Sequence, residues 1–220
     1  MTLGAEPPSP YGGELEAIAG ASRLRRREFL SGRACAHAAL RAIDRDGAPI
    51  GRGSMGEPLW PAGVVGSISH GGRLAGAVAA RTADVWSVGL DIELLEPPLE
   101  AAVERMVLRP GELARGRHLA RIAFAIKECV YKCLYPGTGW RLGFHDVAVE
   151  IDPVSSHYTA EIDGPWRMGA STLGALEGRF AIWRGHVLVG LVMASADQGR
   201  GTDRSPRGRR PPRACSSASA

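Results

Sequence analysis

The sequence predicts an α+β fold built as two pseudo-symmetric α/β lobes, and three observations carry that expectation. Helically spaced apolar residues are followed by alternating strands, and this order occurs twice; the double proline Pro97-Pro98 separates the two runs; and no apolar stretch approaches the about 18 to 20 residues of a membrane-spanning helix. A chain of 220 residues can bury one large core or two smaller ones packed together. No residue-level repeat is visible, so the pseudo-symmetry rests on element order alone.

From Glu14 to Ile43, residues Leu15, Ile18, Phe29, Leu30, Leu40 and Ile43 recur at helical spacing, which predicts two helices joined near Ser31-Gly32. The Gly- and Pro-rich stretch 44–63 reads as loop. Strands are expected at 64–69 and 74–80 around a turn at His70-Gly71-Gly72-Arg73, and a third at 86–93. The lobe boundary then falls near residue 96. A helix at 99–108 follows, and the strongest helix of the chain spans 120–135, ended by Pro136-Gly137. Strands at 147–151, 158–162, 178–183 and 187–194 complete the reading. The expected organisation is a flexible segment 1–13, an N-terminal lobe 14–96, a C-terminal lobe 97–197 and a disordered Arg/Pro/Ser-rich tail 198–220.

Composition narrows the class of protein. With 45% hydrophobic and 23% charged residues the chain falls in the ordinary globular range. Its pI near 9.1 points to nucleic acid only at first sight. Six arginines against Asp203 alone give the stretch 198–220 a local +5, so the overall +4 leaves residues 1–197 at −1. The basicity belongs to the tail, which reads as solvated, and nucleic acid is not the expected partner. Cys35, Cys129, Cys133 and Cys215 include no C-x-x-C pair, which argues against a disulfide framework or structural zinc. The N-terminal residues lack the order of a secretory signal. A cytoplasmic monomer is the expectation.

Chemistry concentrates in three segments. In the strand Trp86 to Glu93, alternation puts Asp91 and Glu93 on one face with Ser87 and Gly89. Residues two apart lie roughly 6 to 7 Å apart at the backbone, so both carboxylates can converge on one cation, and Gly89 leaves room for a ligand. By itself the strand reads more readily as an acidic solvated face than as a metal site. The helix 120–135 is apolar around nearly its whole circumference and is expected to be buried, which gives Lys127, Glu128 and Lys132 weight. Ionised groups in a core need partners, and either a salt bridge between Glu128 and Lys132 or a bound metal or phosphate supplies them. Lastly, Gly66-Ser67-Ile68-Ser69-His70-Gly71-Gly72 offers hydroxyls and an imidazole at a strand end, without the signature of a P-loop or a hydrolase elbow.

Ser67-Ile68-Ser69-His70, Val88-Gly89-Leu90-Asp91-Ile92-Glu93 and Phe124 through Lys132 together resemble the three ordered motifs of the 4'-phosphopantetheinyl transferases. Arg26 to Arg33 and the loop from Pro49 to Pro61 resemble the enterobactin-synthetase component D branch, which serves siderophore, nonribosomal peptide and polyketide synthases. The resemblance implies a cleft between the lobes that holds coenzyme A, with Mg²⁺ on its pyrophosphate. Asp91, Glu93 and Glu128 match the metal positions, Lys132 the lysine on the attacked phosphate and His70 the histidine near the nucleotide 3'-phosphate, with Ser69 a further coenzyme A-binding choice. Arg26 and Arg33 are the choices for further phosphate contacts. The implied reaction, with Glu128 or a metal-bound water as base, moves phosphopantetheine to a serine of an apo acyl or peptidyl carrier protein. Two departures stand out: Glu57 where some relatives carry lysine, and Phe124 where the family often has tryptophan. A coenzyme A binder without catalysis, or a nucleic-acid protein using its arginine tail, is the rival.

Overall fold

The fold, taken from a computed structural model, is described for residues 11–112, 116, 118–164, 167–168 and 171–195. The tail 198–220 and residues 1–10 of the N-terminal segment lie outside the described residues.

A short helix, α1 (Gly12–Glu16), opens the described chain and is pinned by a buried carboxylate. Glu14, only 1% exposed, accepts from the Ile50 backbone N–H at 2.9 Å and sits 2.8 Å from His37 Nε2. His37 Nδ1 faces Asp46 at 2.7 Å, and Asp46 also takes Arg41 at 2.9 Å. This chain of polar contacts ties α1, the next helix and the loop before Ile50 into one unit.

That next helix, α2 (Arg23–Ala42), starts where the Ser22 side chain accepts from the Arg25 N–H, and it is unbroken. The sequence had suggested two helices meeting near Ser31-Gly32. Gly32 serves packing instead: a Cβ there would lie 2.8 Å from Ile68 Cγ2, so the glycine lets the helix settle onto a strand. Burial of Leu30, Ala36 and Leu40 outweighs the roughly 1 kcal/mol that glycine costs a helix interior.

Within the stretch read as loop, β1 (Gly51–Arg52) and β2 (Pro58–Leu59) pair antiparallel. The predicted hairpin forms from β3 (Val64–Gly71) and β4 (Leu74–Arg81), turning at Gly72 with φ of 55°. Strand β5 (Val85–Leu94) follows, then α3 (Ala101–Val107) and α4 (Leu119–Thr138). A 3-10 turn (Phe144–Asp146) leads into β6 (Val147–Asp152) and β7 (His157–Ile162). The short pair β8 (Arg167–Met168) and β9 (Ser171–Thr172) precedes β10 (Leu176–Trp183) and β11 (His186–Ala194).

Five strands make an antiparallel sheet in the order β5-β11-β10-β7-β6. β5 is bonded to β11 along its length, Asp91 opposite Val189. Helix α4 packs Ile126, Cys129, Val130 and Cys133 onto Val187, Val189 and Leu191 of that sheet. Cys129 and Cys133 are core residues, and burial raises both thiols, that of Cys133 to about 11. Pro136 does not end α4. The helix runs one more turn, with the Thr138 hydroxyl donating to the Leu134 carbonyl at 2.8 Å, and stops at Gly139 in the left-handed region, φ of 69°.

Strand β5 is buried on both faces. Val88 and Ile92 look one way, and Ser87, Gly89 and Asp91 look toward α4. Gly89 therefore leaves no ligand space: a Cβ there would overlap the Cys129 carbonyl and lie 2.9 Å from Cys133 Cβ. Its absence is what lets α4 lie against the strand, bringing the helix charges to the strand carboxylates.

Candidate functional site

Three elements meet at the site: the end of β3, the second half of β5 and the middle of α4. Asp91 is 2% exposed, far more enclosed than an acidic surface face allows. Its Oδ1 accepts from Ser69 Oγ at 2.9 Å and from Lys132 Nζ at 2.5 Å. Its Oδ2 is buried without a hydrogen-bond partner. A buried ionised oxygen in that state is costly unless a cation or donor is brought to it.

Glu93 and Glu128 flank this pair. Burial pushes the Glu93 carboxyl up to about 7, and the neighbouring Asp91 adds to the rise, while Arg121 at 3.6 Å and Lys132 oppose it. Burial also raises Glu128, against the pull of Lys132 and with the repulsion of Asp91. The three carboxylates are thus electrostatic neighbours that resist being ionised together. Among the described residues, however, no three acidic, imidazole or thiol groups converge as a ready cage for a metal. The sequence alone left Glu128 and Lys132 open as an ordinary helix pair; the structure directs Lys132 to Asp91 instead.

His70 lies next to Ser69 but points to the other face of β3, toward α2. Its Nε2 is 2.9 Å from Arg25 Nη1, and because a guanidinium can only donate, the imidazole nitrogen accepts. Burial lowers the His70 pKa, in keeping with a neutral ring. Of the arginine cluster it is Arg25 that reaches this histidine; Arg26 and Arg33, expected as phosphate contacts, lie elsewhere on the helix. Arg26 is half-buried on the same helix. Arg33 is 5% exposed and occupied by the fold: Nη2 donates to the Gly51 carbonyl at 2.9 Å and the guanidinium lies 4.6 Å above the Phe29 ring. Burial lowers its pKa to about 10.

Two residues missed by sequence reasoning support the site. Arg121, two turns before Glu128 on α4, pairs with Glu93 and donates to the Pro97 carbonyl at 2.9 Å. Glu112 takes the buried Lys127 ammonium at 2.7 Å and the Val149 N–H at 2.8 Å, locking α4 to the segment before it. An arginine two turns from Glu128 was a signal available at i,i+7; nothing local marks Glu112.

A cleft of about 200 Å³ opens beside Glu128, lined also by Met55, Ser67, Lys132 and Tyr135. A second hollow of about 370 Å³ shares Met55, Glu128 and Tyr131 with it. Glu57 borders the first, with its carboxylate folded back to accept from the Met55 N–H at 3.0 Å.

A cleft lined by Glu128 and Lys132, with Asp91 buried behind the lysine, suits the electrostatic tasks of phosphate chemistry. Residues 14–80 match the family model for the 4'-phosphopantetheinyl transferase N-terminal domain, and residues 87–182 match that of the 4'-phosphopantetheinyl transferase superfamily. The chain is 37% identical to 4'-phosphopantetheinyl transferase Svp of Streptomyces mobaraensis, over 83% of this chain and 78% of that one. It is 34% identical to 4'-phosphopantetheinyl transferase PptT of Mycobacterium tuberculosis, over 87% and 90%. Enterobactin synthase component D of Salmonella typhi matches at 37% identity over about half of each chain, 53% and 51%. The chain belongs to the 4'-phosphopantetheinyl transferase family and is an enzyme of that kind. None of the helices among the described residues is long and apolar enough to cross a membrane.

Proposed function

We propose that this enzyme transfers 4'-phosphopantetheine from coenzyme A to a serine of an apo acyl or peptidyl carrier protein, with Mg²⁺ required. The observation that carries the magnesium requirement is the enclosed Asp91, whose Oδ2 is buried and unpaired while Glu93 and Glu128 feel its charge. Mg²⁺ favours oxygen ligands, takes few from the protein and keeps the rest for water and substrate phosphate. Asp91, Glu93 and Glu128 suit that role without a preformed cage. When bound, the metal supplies charge neutralisation on the coenzyme A pyrophosphate.

The chain's own residues account for the other requirements of the reaction. Lys132, already within reach of Asp91, is placed to offset negative charge on the leaving phosphate. Glu128, raised by burial, is placed to take the proton of the attacking serine hydroxyl. The serine oxygen forms the new bond to phosphorus as the pyrophosphate linkage breaks, and adenosine 3',5'-bisphosphate leaves. His70, which accepts from Arg25, and the half-buried Arg26 are our choices for the nucleotide side, with Arg33 supporting it through its bond to the Gly51 carbonyl. A siderophore-type carrier is the substrate class we favour, with the partial match to a relative named enterobactin synthase component D in its support.

The test is Glu128→Gln assayed with coenzyme A, Mg²⁺ and an apo carrier. Loss of transfer with coenzyme A binding retained supports the reading; an active variant contradicts it.

A further inference from the structure

Strand β5 has two hydrogen-bonding edges, and among the described residues only one is paired with a strand, β11. On the other edge the backbone groups of Leu90 and Ile92 are taken by side chains of β3. Ser67 Oγ donates to the Leu90 carbonyl at 3.3 Å, and the Ile92 N–H donates to Ser69 Oγ at 3.1 Å. Two serines thus stand in for the missing ladder where the hairpin meets the five-stranded sheet. Gly71 allows the approach, since a Cβ there would overlap the Ile92 carbonyl.

Ser69 carries more than this joint. A hydroxyl has one proton to donate and two lone pairs to accept with. At Ser69 both lone pairs meet groups that can only donate, the Ile92 N–H and the Lys132 ammonium, the latter at 3.2 Å. The proton is then directed to Asp91 Oδ1, at 2.9 Å. The hydroxyl is saturated and 3% exposed, so it has no proton left for a phosphate oxygen.

We infer that Ser69 is a positioning residue that fixes the Asp91 carboxylate for its cation, and not a direct contact to coenzyme A. By holding Oδ1, it sets the rotation of the carboxylate and leaves the buried Oδ2 as the oxygen without a partner. Partners of this kind are worth about 10- to 100-fold in metal affinity. The inference rests on the proposed use of Asp91 as a metal ligand.

The test compares wild type with Ser69→Ala and Ser69→Thr, reading Mn²⁺ binding by electron paramagnetic resonance, coenzyme A binding by calorimetry without metal, and thermal midpoint. The expected result for Ser69→Ala is Mn²⁺ binding weakened about 10-fold or more, with coenzyme A affinity within about twofold of wild type. Ser69→Thr, which keeps the hydroxyl, restores metal binding. Coenzyme A affinity that falls while Mn²⁺ binding is retained overturns the inference in favour of direct contact. Equal metal binding in all three folded proteins overturns it as well. If wild type itself binds no Mn²⁺, the metal reading fails first, and that outcome is distinct from a defect confined to Ser69→Ala.

Discussion

Lys132 Nζ lies 2.5 Å from Asp91 Oδ1, joining the middle of α4 to the middle of β5 across 41 residues of sequence. Asp91 is almost wholly enclosed and Lys132 is partly open, so the lysine is the accessible half of a buried pair. Removing one partner of such a pair leaves an uncompensated charge. Lys132→Ala is expected to lower stability by about 3 kcal/mol without metal, and Mg²⁺ should recover part of that loss. Urea unfolding with and without Mg²⁺ measures both effects.

Transfer by Glu128→Gln should fall by about 10²- to 10⁴-fold in kcat, the usual worth of a positioned base. If Glu128 also holds the metal, the Mg²⁺ concentration for half-maximal rate rises in the same variant. Steady-state kinetics at varied Mg²⁺ separate the two losses.

Glu93, with its carboxyl raised to about 7, gives a signed pH dependence. A cation binds the ionised form, so below pH 7 binding must displace a proton. Mg²⁺ affinity should therefore climb with pH and level off above about 7. Without metal the sign for stability follows the same shift: a carboxyl harder to ionise in the folded state favours folding at low pH, and that contribution is lost as pH rises through 7. Calorimetric titrations from pH 5.5 to 8.5, in buffers of differing ionisation enthalpy, read the affinity and the proton released.

Gly89→Ala should push α4 off β5, because the new methyl meets the Cys129 carbonyl and Cys133. Overpacking of this kind costs about 1–3 kcal/mol, and here it also displaces Glu128 and Lys132 from Asp91, so activity drops with stability. Gly190→Ala is the control, since a Cβ there meets nothing within 4 Å. Thermal melts and transfer rates of the pair check the claim.

What sequence revealed and what it hid follow one physical division. Alternation along β5 and the apolar circumference of α4 are local patterns, so the strand, the helix and their charges were legible. The roles of small residues were not. Gly32 looked like a helix joint and Gly89 like ligand space, yet both are places where a helix closes on a strand, a relation no local pattern encodes. Inward-facing carboxylates were hidden for the same reason: the buried Glu14 meets His37 and Ile50, and the half-buried Glu112 meets Lys127 and Val149, partners distant in sequence. Among the arginines, spacing gave no sign that Arg25 would reach His70. Pro136 shows the limit of a stop signal, since a proline in the last turn forfeits one bond and the helix continues to Gly139.

The most direct measurement is the mass of an apo carrier protein after incubation with this enzyme, coenzyme A and Mg²⁺. The account predicts a gain of one phosphopantetheine on the carrier serine, abolished by EDTA and by Glu128→Gln, and unchanged when the chain is cut after Gln198. No gain on any of several acyl and peptidyl carriers, or a gain that persists in EDTA, would contradict it.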